Sequence, residues 1–175
     1  MEPWQIILLI VIFVAFFYVS LVTYVMGQMI EFKTRLKKRL RGLNLLLYER
    51  GQAVLEIHAL FEEEGVGFSD EDKEVFHRLE ALGFQNADEA SVRENGQTVK
   101  EATSRIKYLT QANRWACKGE VYQTNVNLLE DLERNYRTFT LAYNADLLGY
   151  NYWISIPTIS WIGFIFGFRP KTNLS

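Results

Sequence analysis

Histidine and cysteine carry most metal and nucleophile chemistry, and this chain has two of the first (His58, His77) and one of the second (Cys117). Glu74-Val75-Phe76-His77 is a Glu-x-x-His pattern, whose spacing sets carboxylate and imidazole on one helix face. Di-iron sites in helical bundles use two such motifs plus a glutamate from each of two further helices. Leu55 stands three residues before His58, so the second motif is missing. His58 and Glu62 lie four apart, a pair that falls short of the three or four ligands a metal site needs. Both histidines therefore read as residues of acidic helix surfaces. Cys117 has no second cysteine to pair with and no activating base nearby, so it reads as an inert thiol. No Gly-rich phosphate loop occurs. The sequence predicts no catalytic residues, no metal, no cofactor and no enzyme.

The elements that would carry these residues begin with a strongly apolar run. Residues 4–26 (WQIILLIVIFVAFFYVSLVTYVM) hold no charge, and 20 of the 23 are apolar. As a helix they would reach about 35 Å, enough for a hydrocarbon core of about 30 Å. A secretory signal would place positive charge ahead of its apolar core and small residues at a cleavage site. Met-Glu-Pro precedes this run and Gly27-Gln28 follows it, so the segment reads as an uncleaved anchor. Lys33, Arg35, Lys37, Lys38, Arg39 and Arg41 follow with no acid between them. The positive-inside rule then sets residues 1–3 outside, 4–26 across the cell membrane as a single pass, and the rest in the cytoplasm. The six cations would also be drawn to anionic lipid head groups.

Residues 27–41 form a basic juxtamembrane segment running into a cytoplasmic helical bundle over 34–152, and 153–175 form an aromatic tail. The expected fold is all-α: the membrane helix, then an antiparallel up-and-down bundle of three to four long helices. Leu40, Leu47, Val54 and Phe61 are seven apart, with Leu36, Leu43 and Ile57 on a second line where Arg50 is the exception. Such a heptad stripe is a coiled-coil-like seam. This helix should end near Glu64, before Gly65-Val66-Gly67. Ser69 and Asp72 resemble an N-cap for a second helix with Val75, Phe76, Leu79 and Leu82 inward and Gly83 as its stop. Residues 84–97 read as a polar connection, a short helical turn and then an Asn-Gly loop. Thr98 with Glu101 reads as a capping box opening a third helix, whose stripe is Val99, Ala102, Ile106, Leu109, Asn113 and Ala116. A break falls at Lys118-Gly119.

On the last helix Tyr122, Leu129, Tyr136, Tyr143 and Tyr150 repeat every seven residues, with Leu132, Phe139 and Trp153 beside them. A strict seven-residue repeat implies a left-handed seam with neighbouring helices. The column reads as core, with a tyrosine-lined ligand groove as the rival. In an up-and-down bundle the last helix returns toward the membrane, and Trp153, Trp161, Arg169 and Lys171 suit an interfacial tail. Residues 147–168 are also uncharged, but only 14 of the 22 are apolar, so an interfacial tail is preferred to a second crossing.

Glu133 to Lys171 resembles the closing region of the LemA family. The matching residues are Tyr143-Asn144, Tyr150-Asn151, Pro157 and Phe166-Gly167-Phe168, and Leu36-Lys37-Lys38-Arg39 resembles the family's Leu-Lys-Arg-Arg after its anchor. The family's Tyr-Asn after the anchor, its Ala-Trp pair and its Asp-Leu-Ile-Pro-Asn-Leu run are absent, so the chain resembles a divergent member. The resemblance implies a single-pass bacterial membrane protein with a helical-bundle domain and Tyr143, Asn144, Tyr150, Asn151, Pro157, Gly167 and Phe168 as its motif residues. It implies no reaction.

Charge bears on partners. Residues 62–101 carry twelve acids against four bases, and this acidic, membrane-distal piece is the expected protein-facing surface. The dense basic run sits beside the anchor rather than among base-stacking aromatics, so nucleic acid is excluded. The expectation is a non-enzymatic, membrane-anchored module that binds a protein or organises the inner leaflet. The alternatives are a two-span accessory subunit of a transport or secretion complex and a bundle binding a metal or small ligand.

Overall fold

A computed structural model describes residues 2–174, with only the backbone of Thr158, Ile159 and Ile162. The chain is all-α. Helix α1 is Pro3–Glu63, α2 is Asp70–Glu80, α3 is Glu89–Ala112, α4 is Glu120–Ser155 and α5 is Pro157–Ile165, with a short 3-10 turn at Arg114–Ala116. Proline supplies the first residue of α1 and of α5, where a missing backbone N–H costs nothing. Between them no proline interrupts the chain, and α1 runs unbroken for 61 residues.

Two compact units make up the chain: Met1–Leu36 with Ala145–Asn173, and Lys37–Asn144 with Leu174–Ser175. The second is an up-and-down bundle, and its side-chain register gives the directions. Asn44 meets Asn95 and Arg50 meets Thr103, so α1 and α3 run parallel. Glu71 meets Arg105 and Arg78 meets Glu101, so α2 opposes α3. Phe61 packs on Tyr122 while Arg50 lies over Tyr136, so α4 opposes α1. Each helix thus reverses the one before it.

The heptad stripe forms the core. Leu36, Leu40, Leu43, Leu47, Val54, Ile57 and Phe61 are all buried, as are Val75, Phe76 and Leu79 from α2 and Val99, Ala102, Ile106 and Leu109 from α3. Tyr122, Leu129, Tyr143 and Tyr150 of the tyrosine column are buried and Tyr136 is half-buried. Tyr122 keeps its hydroxyl satisfied by donating to Thr110 Oγ1 at 2.8 Å, and burial pushes its pKa up to about 12. The column is core, as its spacing predicts.

Helix ends follow local chemistry with one correction. Ser69 caps α2 in a full capping box with Asp72. Helix α1 stops in a Schellman turn: Val66 N–H reaches Phe61 O at 2.9 Å, Gly65 N–H reaches Glu62 O at 3.0 Å, and Gly65 takes φ 77°. The same arrangement ends α5, with Phe168 N–H on Gly163 O at 2.8 Å and Gly167 at φ 73°. The expected Asn-Gly loop and the Thr98 cap are wrong. Helix α3 starts ten residues earlier, capped by Asp88 accepting from Ser91 N–H at 2.8 Å, and passes straight through Asn95-Gly96. Asn95 is buried there, and a Cβ on Gly96 would sit 3.2 Å from the Tyr136 hydroxyl. Tertiary packing overrides the local turn preference.

Truncating a fully buried ring leaves a cavity, so Tyr143→Ala should cost about 3–5 kcal/mol. Urea unfolding of the full chain in detergent, followed by circular dichroism, measures it; a cost below about 0.5 kcal/mol is what a surface residue would give.

Candidate functional site

Of the residues that resemble the LemA motif, Asn144 and Asn151 each pair with C-terminal backbone inside their own unit. Asn151 donates from Nδ2 to Lys171 O at 2.8 Å and accepts from Lys171 N–H at Oδ1, 3.1 Å. Seven residues earlier on α4, Asn144 does the same to Leu174, at 2.9 Å and 3.1 Å. Each side-chain amide imitates a peptide group and pairs with one residue's backbone through both donor and acceptor. The spacing is dictated by geometry. Seven helical residues rise about 10.5 Å, and three extended residues cover about 10 Å. Asparagine is required: aspartate lacks the donor, and glutamine sets the amide one carbon further out. The sequence places these asparagines next to the Tyr column; their partner proves to be the tail backbone rather than an adjacent helix.

The rest of the motif shapes the approach of that segment. Pro157 starts α5 after α4 stops at Ser155. Gly167 supplies the left-handed residue that turns the chain out of α5, and Phe168 is then buried. Lys33 Nζ lies 5.6 Å from the Phe168 ring centre, a cation–π contact. A Cβ on Gly149 would fall within 2.8 Å of the Phe32 ring, and Tyr24 packs edge-on against Trp153 at 6.5 Å. Phe32 and Phe168 thus join the arrangement, and nothing in the residue pattern alone singles out Phe32.

The same unit carries a surface suited to lipid. Almost every large apolar residue from Trp4 to Leu21 is exposed, and the most apolar stretch of α1 has mean hydropathy 3.0 with none of it buried. α1 is the one helix, among the described residues, long and apolar enough to cross a membrane. The uncharged stretch 147–168 is not one helix: α4 ends within it, and the nine residues of α5 reach only about 14 Å. Trp161, Phe164, Ile165 and Phe166 are exposed on and after α5. Lys33, Arg35, Lys37, Lys38, Arg41 and Arg169 are exposed, while Arg39, Trp153 and Lys171 are half-buried. Arg35 pairs with Glu31 and lies over the Phe32 ring.

In the bundle unit two further asparagines satisfy extended chain. Asn44 Nδ2 donates to Phe84 O at 2.6 Å, and Asn95 Nδ2 donates to Gly83 O at 3.3 Å. Both side chains are buried, and they hold the connection between α2 and α3 against the helices. A signal for Asn95 was available: Val92, Asn95, Val99 and Ala102 continue the α3 stripe upstream at core spacing.

His58 and His77 separate. His77 is exposed on α2, whereas the His58 ring packs at 4.1 Å from Phe76 and 4.5 Å from Phe68. His58 is therefore no surface histidine. Its Nε2 is buried without a hydrogen-bond partner, 3.9 Å from Glu62. Burial lowers its pKa, opposed less strongly by Glu62, Glu80 and Asp72. Among the described residues no three His, Cys, Asp or Glu side chains gather in a way that could hold a metal ion. Cys117 is half-buried, with Sγ 3.3 Å from Asn113 O.

No protein-family model matches the chain, and neither a curated protein nor a solved structure matches it.

Two expectations follow. Asn151→Ala should release the tail, so the Lys171 amide should lose protection from hydrogen exchange by about tenfold or more, the worth of one to two lost hydrogen bonds. Protection equal to that of the parent chain would mean the pairing does not hold the segment. His58 is the second case. Its folded pKa lies below the unfolded value of about 6.5, so its stabilising contribution is complete above that pH. It is lost as pH falls through the folded pKa. The unfolding midpoint should therefore drop between pH 7.5 and 5 more steeply in the parent than in His58→Phe; parallel profiles would remove His58 as the cause.

Proposed function

We propose that this chain is a non-enzymatic, membrane-anchored helical-bundle protein of LemA type, acting as a module that binds another protein or organises the inner leaflet. The observation that carries the reading is the bare apolar length of α1. Burying one large apolar side chain is worth about 1.5–3 kcal/mol, so a helix exposing such residues from Trp4 to Leu21 is stable only when something apolar surrounds it. A single-pass anchor supplies that surrounding, and six cations within Lys33–Arg41 orient it with the bundle in the cytoplasm.

Support for an interfacial tail comes from chemistry and place. Exposed Trp161, Phe164 and Phe166 stand beside exposed Arg169, in the unit that also contains the anchor. Aromatic and basic residues share the head-group region because each has an apolar body or stem and a polar end. Asn144 and Asn151 then have a positioning role: they hold the segment after α5 on α4, which limits where the aromatic surface can go.

Residues 62–101 are the proposed surface for a protein partner, which would carry a basic face. The acids there are mostly solvent-exposed, and the ion pairs they make, such as Glu71 with Arg105 and Arg78 with Glu101, are surface pairs of little strength. Exposed acids such as Glu63, Glu64 and Glu74 would steer such a partner.

Orientation is tested by single-cysteine labelling in a Cys117→Ser background. A membrane-impermeant maleimide added to intact cells should label Glu2→Cys and leave Glu74→Cys and Thr172→Cys unlabelled until the cells are opened. Labelling of Glu74→Cys from outside overturns the cytoplasmic bundle, and labelling of Thr172→Cys alone establishes a second crossing.

A further inference from the structure

Arg50 interrupts the second heptad line at a position where Leu43 and Ile57 are its neighbours in register, and the structure buries it with them, at 5 % exposure. A guanidinium stays charged at any physiological pH, so burial is costly unless something compensates it. What the protein supplies is modest. One Nη donates to Thr103 Oγ1 at 3.4 Å, a long contact, and the ring of Tyr136 lies 5.4 Å from Cζ. Nε is buried with no hydrogen-bond partner.

The carboxylate of Glu133 does not satisfy Arg50. Glu133 accepts from Lys107 Nζ at 2.8 Å and from Arg137 at 3.0 Å, and these contacts, Lys107 first, hold its pKa below the usual range. It acts on Arg50 through its field, without a hydrogen bond. Desolvation is the largest influence on Arg50 and lowers its pKa, which means the protein alone leaves the cation under-solvated.

Arg50 lines a groove of about 660 Å³ whose wall also holds Arg93, Lys100, Arg137, Glu133 and Tyr136. Lys100 shares this lining with Arg50, and Glu133, the carboxylate among the described lining residues, already accepts from Lys107 and Arg137. The guanidinium fork matches the paired oxygens of a phosphoryl group, with exposed Lys100 at the rim as a second charge.

We infer that this groove binds a phosphoryl-bearing anion, with Arg50 as its buried anchor and Lys100 as a rim contact. The phosphoryl group comes either from a small soluble phosphate or from a lipid with a phosphomonoester head group. Occupancy completes the hydrogen bonding of Arg50, and so it stabilises the bundle. The inference does not depend on membrane orientation or on the partner proposed for residues 62–101.

The test uses the full chain in phosphatidylcholine nanodiscs at fixed ionic strength. Inorganic phosphate is titrated in one arm, and phosphatidic acid is incorporated in the other, with the unfolding midpoint as readout. A ligand that binds only the folded chain raises that midpoint by mass action. Arg50→Met fills the same space without charge and should weaken binding about tenfold or more. Lys100→Glu, on the exposed rim, should weaken it severalfold and guards against a folding defect in the core variant. Arg134→Gln, exposed and outside the groove, should bind like the parent. A rise with inorganic phosphate that Arg50→Met or Lys100→Glu abolishes supports a soluble ligand, and a rise confined to phosphatidic acid supports a lipid. No rise in either arm, or equal rises in parent and both groove variants, overturns the site.

Discussion

An extended backbone laid against a helix has no ladder to pair with, and this constraint organises the parts of the chain that are not helix. Every peptide group taken out of water must find a partner or cost several times what a hydrogen bond returns. Here the partners are asparagine amides. Asn44 and Asn95 serve the carbonyls of Phe84 and Gly83, and Asn144 and Asn151 serve both backbone groups of Leu174 and Lys171. The helices can then be bound by chain that is too short or too polar to form another helix. In the bundle unit this matters because α2 has only 11 residues against the 24 of α3. The connection that follows α2 is held to α1 by the Asn44 amide on Phe84 O, with Phe84 edge-on to Tyr48 at 5.5 Å.

The same constraint explains what was legible in the sequence. Heptad positions such as Leu40, Leu47, Val54 and Phe61 announce themselves because one element's own spacing contains the information. So do the Ser69 capping box and the stop at Gly65, which involve residues within five positions of each other. Asn95-Gly96 misled because its turn preference is local, while its real partners lie 12 and 51 residues away at Gly83 and Asn44. Asn144 and Asn151 drew notice only through the C-terminal resemblance, and their pairing with the backbone of Leu174 and Lys171, 30 and 20 residues away, lies beyond what local spacing can announce. Arg50 stood out in sequence as an exception to an apolar line, without any hint of the groove beside it.

Two kinds of positive charge should accordingly be kept apart. The cations from Lys33 to Arg41 are largely exposed and act through a field that decays over about 8 Å at physiological salt. Arg50 is buried at the wall of a groove and held by Tyr136 on one side and Thr103 on another. Raising salt weakens what the first group does and leaves the desolvation of the second almost untouched. A lysine would serve in most of the exposed positions. At position 50 it would lose the planar cation that lies over the Tyr136 ring and the fork of donors, one of which reaches Thr103. Position, more than the count of charges, therefore determines which of them can recognise a particular anion and which only sense that a negative surface is near.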